Sequence, residues 1–336
     1  MMKATVMQGL NVPLAVETVA DPTPGAGQLV VRVGRCGICG SDLHMTEDPA
    51  FGMGAGDVLG HEFAGEVVAL GKGVEGFATG DLVSVVPIAG CGHCASCRAG
   101  EPAWCAQMAL QGGGYAEYAV TGANQCVLLP QSASMADGAI VEPLAVALHG
   151  VVLSGMKPGD KVLVLGAGPI GLAVAFWARR MGASRVIVQD IARHQEDRAL
   201  RMGATGFVAD AHDPVGASDR ALGGKADVVF ECVGLPGLIA QAVDQVRIKG
   251  TVLILGLCTR TDSFVPFVAL SKEVRLQTSA FFKRQEYEMA LDALNAGATE
   301  PRLLVTETVG LDAVPALFES LRRRTHQCKV LIAPGT

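Results

Sequence analysis

The chain has 336 residues, long enough for two domains, and 50% of them are hydrophobic against 18% charged, which excludes a disordered chain. With 33 acidic and 27 basic residues, a net charge of −6, it offers no basic footprint for nucleic acid. Glycine is the outlier at 42 residues; without a G-X-Y period and with only 16 prolines, collagen and low-complexity sequence are excluded, so the glycines must serve local geometry.

The amino terminus, MMKATVMQGLNVPLAVETV, has no sustained apolar core followed by a cleavage site and reads as a first strand rather than a secretory leader. Short β-branched runs broken by glycine and proline follow to residue 140: LVVRVGRCG, GEVVALG, DLVSVVP, YAEYAV and QCVLLP. They predict a β-rich, barrel-like region. From residue 160 the pattern becomes strand–helix alternation, with strands expected at 161–166, 184–190, 206–210, 226–234, 250–256 and 274–281. Six such runs, several continuously apolar, predict a doubly wound parallel sheet of the Rossmann type. IGLAVAFWARRMG places Ile170, Val174, Trp177 and Met181 at helical spacing and ends at Gly182, a C-terminal glycine stop.

After residue 282 a helix, EYEMALDALNAG, leads to a β tail ending in KVLIAP that is expected to return to the first region. The expected organisation is a β-rich catalytic domain over 1–145 and 281–336, interrupted by a dinucleotide-type domain over 146–280. No apolar stretch supplies the roughly 20 residues of a membrane span, so a soluble protein without membrane partners is expected. Ten cysteines without a leader read as metal ligands, reactive thiols or buried residues, and place the chain in the cytoplasm.

Cys91, Cys94, Cys97 and Cys105 are separated by two, two and seven residues. Such spacing lets four thiolates converge on one zinc within a small lobe, here about 88–107, although iron–sulfur sites also use cysteine runs with two-residue gaps. With sulfur at all four positions the site is expected to be closed and structural. A second, dispersed set comprises Cys39 in RCGICGSDLH, His61 and Glu62 in GHEFAG, and Glu142 in VEPLAV. Sulfur, imidazole and carboxylate together form a mixed set that leaves a zinc position open for chemistry. Gly37, Gly40, Gly60 and Gly65 bracket these residues and permit tight turns and close approach.

Gly166, Gly168 and Gly171 form G-x-G-x-x-G between a strand and a helix, with Pro169 and Ile170 between the last two glycines. The first glycine allows the tight turn, the second the approach of a pyrophosphate to the helix N-terminus, and the third close helix–strand packing. Asp190 ends the next strand, where a carboxylate can bind ribose hydroxyls and repel a 2′-phosphate. NAD is therefore favoured over NADP, against which Arg193 stands close enough to accommodate that phosphate.

RCGICGSDLH, GHEFAGEV, the four-cysteine lobe, VEPLAVALH and the glycine fingerprint occur in the order found in the zinc-dependent medium-chain dehydrogenases, the alcohol, polyol and threonine dehydrogenase family. The chain resembles that family over nearly its whole length. The resemblance implies a GroES-like fold for the β-rich domain, and two zinc ions per chain, one catalytic and one structural. It implies that Cys39 and His61 ligate the catalytic zinc, and that either Glu62 or Glu142 completes the set. Glu142-Pro143 matches the polyol and threonine branch, whereas another branch has a second cysteine there. Asp42 resembles the carboxylate that holds the zinc-binding imidazole, and Ser41 and His44 resemble a proton relay to solvent. Cys36 reads as a small buried residue.

The implied reaction is hydride transfer between a secondary alcohol (a polyol, a diol, a threonine-like or a cyclic alcohol) and NAD, giving the ketone. The runner-up is an NADP-dependent alcohol dehydrogenase or carbonyl reductase for apolar or cyclic substrates, which Phe51, Met53, Phe281 and Phe282 would suit. A zinc-free quinone or enoyl reductase should lack Cys39, His61 and the lobe, and a nucleic-acid zinc ribbon should be basic. The family is usually dimeric or tetrameric, so a homo-oligomer is expected, with the strand near 275–281 close to the contact.

Overall fold

A computed structural model describes residues 1–323 and 326–336. They form two compact units, one from Met1–Glu142, Lys283–Ala298 and Val305–Thr336, the other from Pro143–Phe282 with Thr299–Leu304.

The second unit is built on six parallel strands in the spatial order Gly206–Val208, Arg185–Gln189, Lys161–Leu165, Ala226–Glu231, Val246–Ile254 and Arg275–Thr278. The order runs outward in both directions from Lys161–Leu165, as in a doubly wound dinucleotide fold. Helices cover both faces of such a sheet, which is why Val162, Leu163, Val164, Val229, Phe230, Val252 and Leu253 are all buried and the sequence shows no alternation there.

None of the six strands keeps both expected bounds: those expected to end at 166, 190, 210, 234 and 256 end at Leu165, Gln189, Val208, Glu231 and Ile254, and two of the differences have a backbone cause. Val246–Ile254 begins four residues before 250, because the pairing with Ala226–Glu231 slips between Ala226 and Val228; exposed Arg247, Ile248 and Lys249 bulge out, Lys249 at φ 58°. The last strand stops at Thr278 rather than 281, ahead of Phe281, whose φ of 59° cannot continue a strand. The helix after the glycine loop runs Pro169–Arg180, starts with proline where no N–H is needed, and ends before Gly182 at φ 97°.

The first unit holds a seven-stranded mixed sheet. Its path runs Val305–Val309, Lys329–Ile332, Gln28–Gly37, Glu62–Leu70, Leu82–Val85 and Cys126–Leu128, with Tyr118–Gly122 also paired to Gln28–Gly37. The KVLIAP tail thus enters this sheet, antiparallel, with Leu331 opposite Gly37 and Ile332 opposite Cys36. Val31, Val33, Phe63, Val67, Val83, Val85, Phe318 and Ile332 form its core. The helix expected from EYEMALDALNAG runs Arg284–Asn295, two residues earlier than 286, because Glu286 folds back to accept the Lys283 N–H at 2.7 Å and extends the N-terminal turn.

The helix Met135–Leu153 corrects the expectation about apolar stretches. It has 19 residues, and an 18-residue stretch of it has a mean hydropathy of 1.5, long and apolar enough to cross a membrane by those measures, yet 78% of that stretch is buried inside the protein. Ile140, Val141, Leu144, Ala147 and Leu148 are fully packed, and Glu142, Pro143 and His149 interrupt it, so it is a core helix.

Candidate metal centre and cofactor loop

Register places the dispersed set. Gly37 pairs with Glu62 across the strands Gln28–Gly37 and Glu62–Leu70, so Cys39, just beyond one strand, and His61, just before the other, leave the sheet at the same edge. Cys39 caps the short helix Gly40–Met45 in an extended conformation. The ligand atoms of Cys39, His61 and Glu62 all lie within 4.8 Å of one another. Two glycines make room: a Cβ on Gly37 would fall 2.0 Å from Glu62 Oε2, and one on Gly60, at φ 92°, would fall 2.3 Å from the Tyr115 ring.

Asp42, fully buried, organises this edge. Its Oδ2 accepts the Cys39 N–H at 2.9 Å, and its Oδ1 lies 3.2 Å from His61 Nδ1, leaving Nε2 as the nitrogen for a metal. Burial pushes the Asp42 carboxyl up, but the His61 charge and the hydrogen bonds from His61, Tyr115 and Cys39 bring it below its ordinary range. Burial pulls His61 down, and the Asp42 charge and hydrogen bond more than reverse that, raising it well above 6.5. Ser41 donates to Cys39 Sγ at 3.1 Å, and His44 is half-buried one turn further along the same helix.

Glu62 is 1% exposed, and its Oε2 has no hydrogen-bond partner among the described residues. Lys329 meets only Oε1, and a buried carboxylate oxygen left without a donor is costly, so Oε2 with the Cys39 sulfur and the His61 imidazole forms a donor set that fits zinc. Glu142 lies outside the cluster of three but is buried near enough to feel its charges. Burial raises its carboxyl to about 7; His61 and Lys329 oppose this, while Glu62 and Asp42 add to it. Cys36 is fully buried in the core, as expected, and burial pushes its thiol well up.

The four sulfurs of Cys91, Cys94, Cys97 and Cys105 also lie within 4.8 Å of one another. Backbone N–H groups point at them: Cys94 N–H to Cys91 Sγ at 3.4 Å, Cys97 N–H to Cys94 Sγ at 3.5 Å, and Gln107 N–H to Cys105 Sγ at 3.3 Å. The backbone N–H groups of His93 and Cys94 lower Cys91 to about 6, which favours a thiolate. No open position remains in such a set, and it suits a structural metal.

In the second unit, Gly168 is the N-cap of Pro169–Arg180, and a Cβ built on it meets no atom within 4 Å, so its face is open. A Cβ on Gly171 would lie 1.9 Å from the Gly166 carbonyl oxygen, the tight helix–strand contact the third glycine is needed for. Asp190, one residue past the end of its strand at Gln189, accepts the Ala167 N–H at 2.8 Å and the Ala192 N–H at 3.2 Å, and so braces the loop. Arg193 gives one nitrogen to both oxygens of Glu196, at 3.0 and 2.8 Å. Of the aromatic and sulfur side chains expected near a substrate, Phe51 and Met53 pack against the core of the first unit and Phe282 is 3% exposed.

Sequence reasoning passed over two residues here. Lys329 is 2% exposed and gives its ammonium to Glu62 Oε1 at 2.7 Å and to the Ile38 carbonyl at 2.9 Å. Burial lowers its pKa, and the Glu62 charge more than restores it. Its only signal is a lysine opening the apolar run KVLI. The other is Glu231, buried at the end of its strand, which accepts the N–H groups of Val233 at 2.7 Å and Gly234 at 2.9 Å; burial raises its carboxyl.

Residues 25–131 match the alcohol dehydrogenase GroES-like domain and residues 169–296 the zinc-binding dehydrogenase domain. The (R,R)-butanediol dehydrogenase of Bacillus subtilis (strain 168) is 32% identical over 96% of this chain and 97% of its own. Among solved structures, the alcohol dehydrogenase rspB of Escherichia coli CFT073, complexed with NADH, superposes with a TM-score of 0.90 at 29% identity over 99% of both chains. A zinc-binding dehydrogenase of Sinorhizobium meliloti 1021 bound to NADP gives 0.89 at 34% identity, again over 99% of both. The chain belongs to the zinc-dependent medium-chain alcohol dehydrogenase family. It is an NAD(P)-dependent oxidoreductase that transfers hydride between a secondary alcohol and its nicotinamide cofactor, giving the ketone.

Proposed function

We propose that Cys39, His61 and Glu62 hold the catalytic zinc, that Glu142 is a second carboxylate beside the shell, and that Cys91, Cys94, Cys97 and Cys105 hold a structural zinc. The observation that carries this reading is the convergence of one ligand atom from each of the first three residues, together with a buried Glu62 Oε2 that has no hydrogen-bond partner among the described residues. Bound there, zinc would supply a Lewis acid that eases loss of an alcohol proton, and a bound nicotinamide would supply the hydride acceptor. Asp42 fixes the tautomer and aim of His61. Ser41 and His44, three residues apart on one short helix, share a face and carry the substrate proton outward. In the structure Ser41 donates to Cys39 Sγ, so the relay begins when that hydroxyl turns to an alcohol oxygen.

The cofactor is NAD rather than NADP. Gly166, Gly168, Pro169, Ile170 and Gly171 cradle its pyrophosphate at the helix N-terminus. Asp190 offers negative charge to the ribose, and Glu196 occupies the Arg193 guanidinium that a 2′-phosphate would need. Kinship to a butanediol dehydrogenase together with Glu142-Pro143 supports a vicinal diol or polyol as the substrate class. Arg275–Thr278 is the edge of its sheet, and Val265, Phe267 and Leu270 nearby in sequence are 63%, 70% and 71% exposed, which supports a homo-oligomer, dimer or tetramer. Reduced cysteines devoted to metal support a cytoplasmic enzyme.

Metal analysis of the purified protein should find about two zinc ions per chain. Cys39→Ser should keep only one, lose NAD-linked oxidation of butane-2,3-diol followed by NADH absorbance, and still bind NADH. Full activity in that variant, or two zinc ions retained, sinks the assignment.

A further inference from the structure

The run Gly112-Gly113-Gly114 before Tyr115 serves neither the zinc ligands nor the cofactor loop, yet it lies against the segment that delivers His61. The N–H of Gly113 reaches Val58 O at 3.0 Å, that of Gly114 reaches Gly60 O at 2.9 Å, and that of Tyr115 reaches Leu59 O at 3.0 Å. Side chains would not fit. A Cβ on Gly112 would lie 2.9 Å from Val58 O, and one on Gly114 would lie 2.5 Å from Cys36 Sγ; Gly113 has φ 99°. The glycines therefore let residues 112–115 thread beside 58–60, and the Tyr115 ring slides over Gly60, immediately before His61.

At the end of this path the Tyr115 hydroxyl donates to Asp42 Oδ2 at 2.6 Å, with both residues at 0% exposure. That length is typical of a hydroxyl bonded to an ionised carboxylate, the stronger kind of hydrogen bond. The same Oδ2 accepts the Cys39 N–H, and Oδ1 faces His61. A carboxylate rotates broadly about its last torsion, so a second donor on one oxygen settles where the other points.

Resting on the reading of Cys39 and His61 as zinc ligands, we propose that Tyr115 is a positioning residue of the metal centre, its hydroxyl locking the Asp42 carboxylate so that one group aims both ligands. Tyr115 is fully buried, with its hydroxyl committed to Asp42. The glycine run exists to bring that hydroxyl there.

The test compares wild type, Tyr115→Phe, Asp42→Asn and the double variant as full-length, zinc-loaded protein. Competition with a chromophoric chelator follows the two metals, and cobalt substitution reads the geometry of the Cys39 site from its visible bands. Tyr115→Phe keeps the ring, and should release the Cys39-site metal about tenfold more readily and shift its cobalt bands, at the lower end of the 10–100-fold range for outer-shell groups. The four-cysteine metal is the internal control and should be unchanged. Asp42→Asn should weaken the same metal at least as much, and Tyr115→Phe should add nothing to it. A merely structural tyrosine would lower the melting temperature while leaving metal release and cobalt bands as in wild type; that result, or additivity in the double variant, overturns the proposal. Should Tyr115→Phe not fold, an unweakened Cys39-site metal in Asp42→Asn overturns it equally. A wild-type protein holding metal only at the four cysteines overturns the reading of the site, and this proposal with it.

Discussion

Lys329→Met removes one partner of an ion pair in which Lys329 is 2% and Glu62 1% exposed. The lost contacts are the 2.7 Å bond to Glu62 Oε1 and the 2.9 Å bond to the Ile38 carbonyl. Glu62 then carries its charge with Oε2 already unpartnered and Glu142 nearby. Truncating one side of a buried pair costs about 3–5 kcal/mol, because the remaining charge is uncompensated. In metal-free protein that loss, divided by a urea m-value of about 2 kcal/mol/M, lowers the midpoint for the first unit by about 2 M. If zinc occupies the proposed site, its charge should compensate Glu62 and the loss should shrink. Adding Glu62→Gln removes the stranded charge and should recover most of the metal-free stability, while weakening zinc binding at the proposed catalytic site. Urea titrations followed by far-UV circular dichroism, with and without zinc, decide the matter. A metal-free Lys329→Met protein within about 1 kcal/mol of wild type would refute the reasoning, since a buried pair of this kind cannot be that cheap to break.

Three further outcomes are expected. Burial raises the Glu142 carboxyl from 4.5 to about 7, so the folded metal-free protein binds this proton more tightly than the unfolded chain. Its contribution is present below pH 4.5 and is lost as pH rises through about 7, a fall of about 3 kcal/mol; the raised His61 loses stability in the same direction, so Glu142→Gln should flatten only part of the slope between pH 5 and pH 8. Gly171→Ala places a methyl 1.9 Å from Gly166 O and must push the helix off the strand. It should destabilise by about 1–3 kcal/mol and weaken NADH fluorescence titrations about tenfold; NADH binding equal to wild type would contradict the assigned role. Cys105→Ser should lose the zinc proposed for the lobe and change the fluorescence of exposed Trp104 within it, leaving metal at the proposed Cys39 site unchanged; zinc content equal to wild type would show that the four sulfurs do not share a metal.

Two kinds of feature were legible in the residues, and both are local. The four lobe cysteines fall within 15 residues, and the glycine loop is read together with the strand before it and the helix after it, so spacing alone reports them. The β-rich and doubly wound halves were legible because hydrophobic periodicity reflects which faces are buried. Boundaries failed where backbone geometry overrode pattern, at the slipped pairing around Lys249 and at Phe281 with positive φ.

The sequence by itself determined which chemical groups the protein owns: sulfur, imidazole, carboxylates and a glycine-rich turn at a helix N-terminus. Only the tertiary structure decided which of them meet. Glu62 rather than Glu142 joins the Cys39–His61 cluster because Gly37 pairs with Glu62. Lys329, 267 residues from Glu62, reaches it because the final strand docks beside Gln28–Gly37. Tyr115 reaches Asp42 because three glycines let its segment lie along Val58–Gly60. Such encounters depend on strand register and on the closest approach of two backbones, quantities set by the whole packed core that no local spacing encodes.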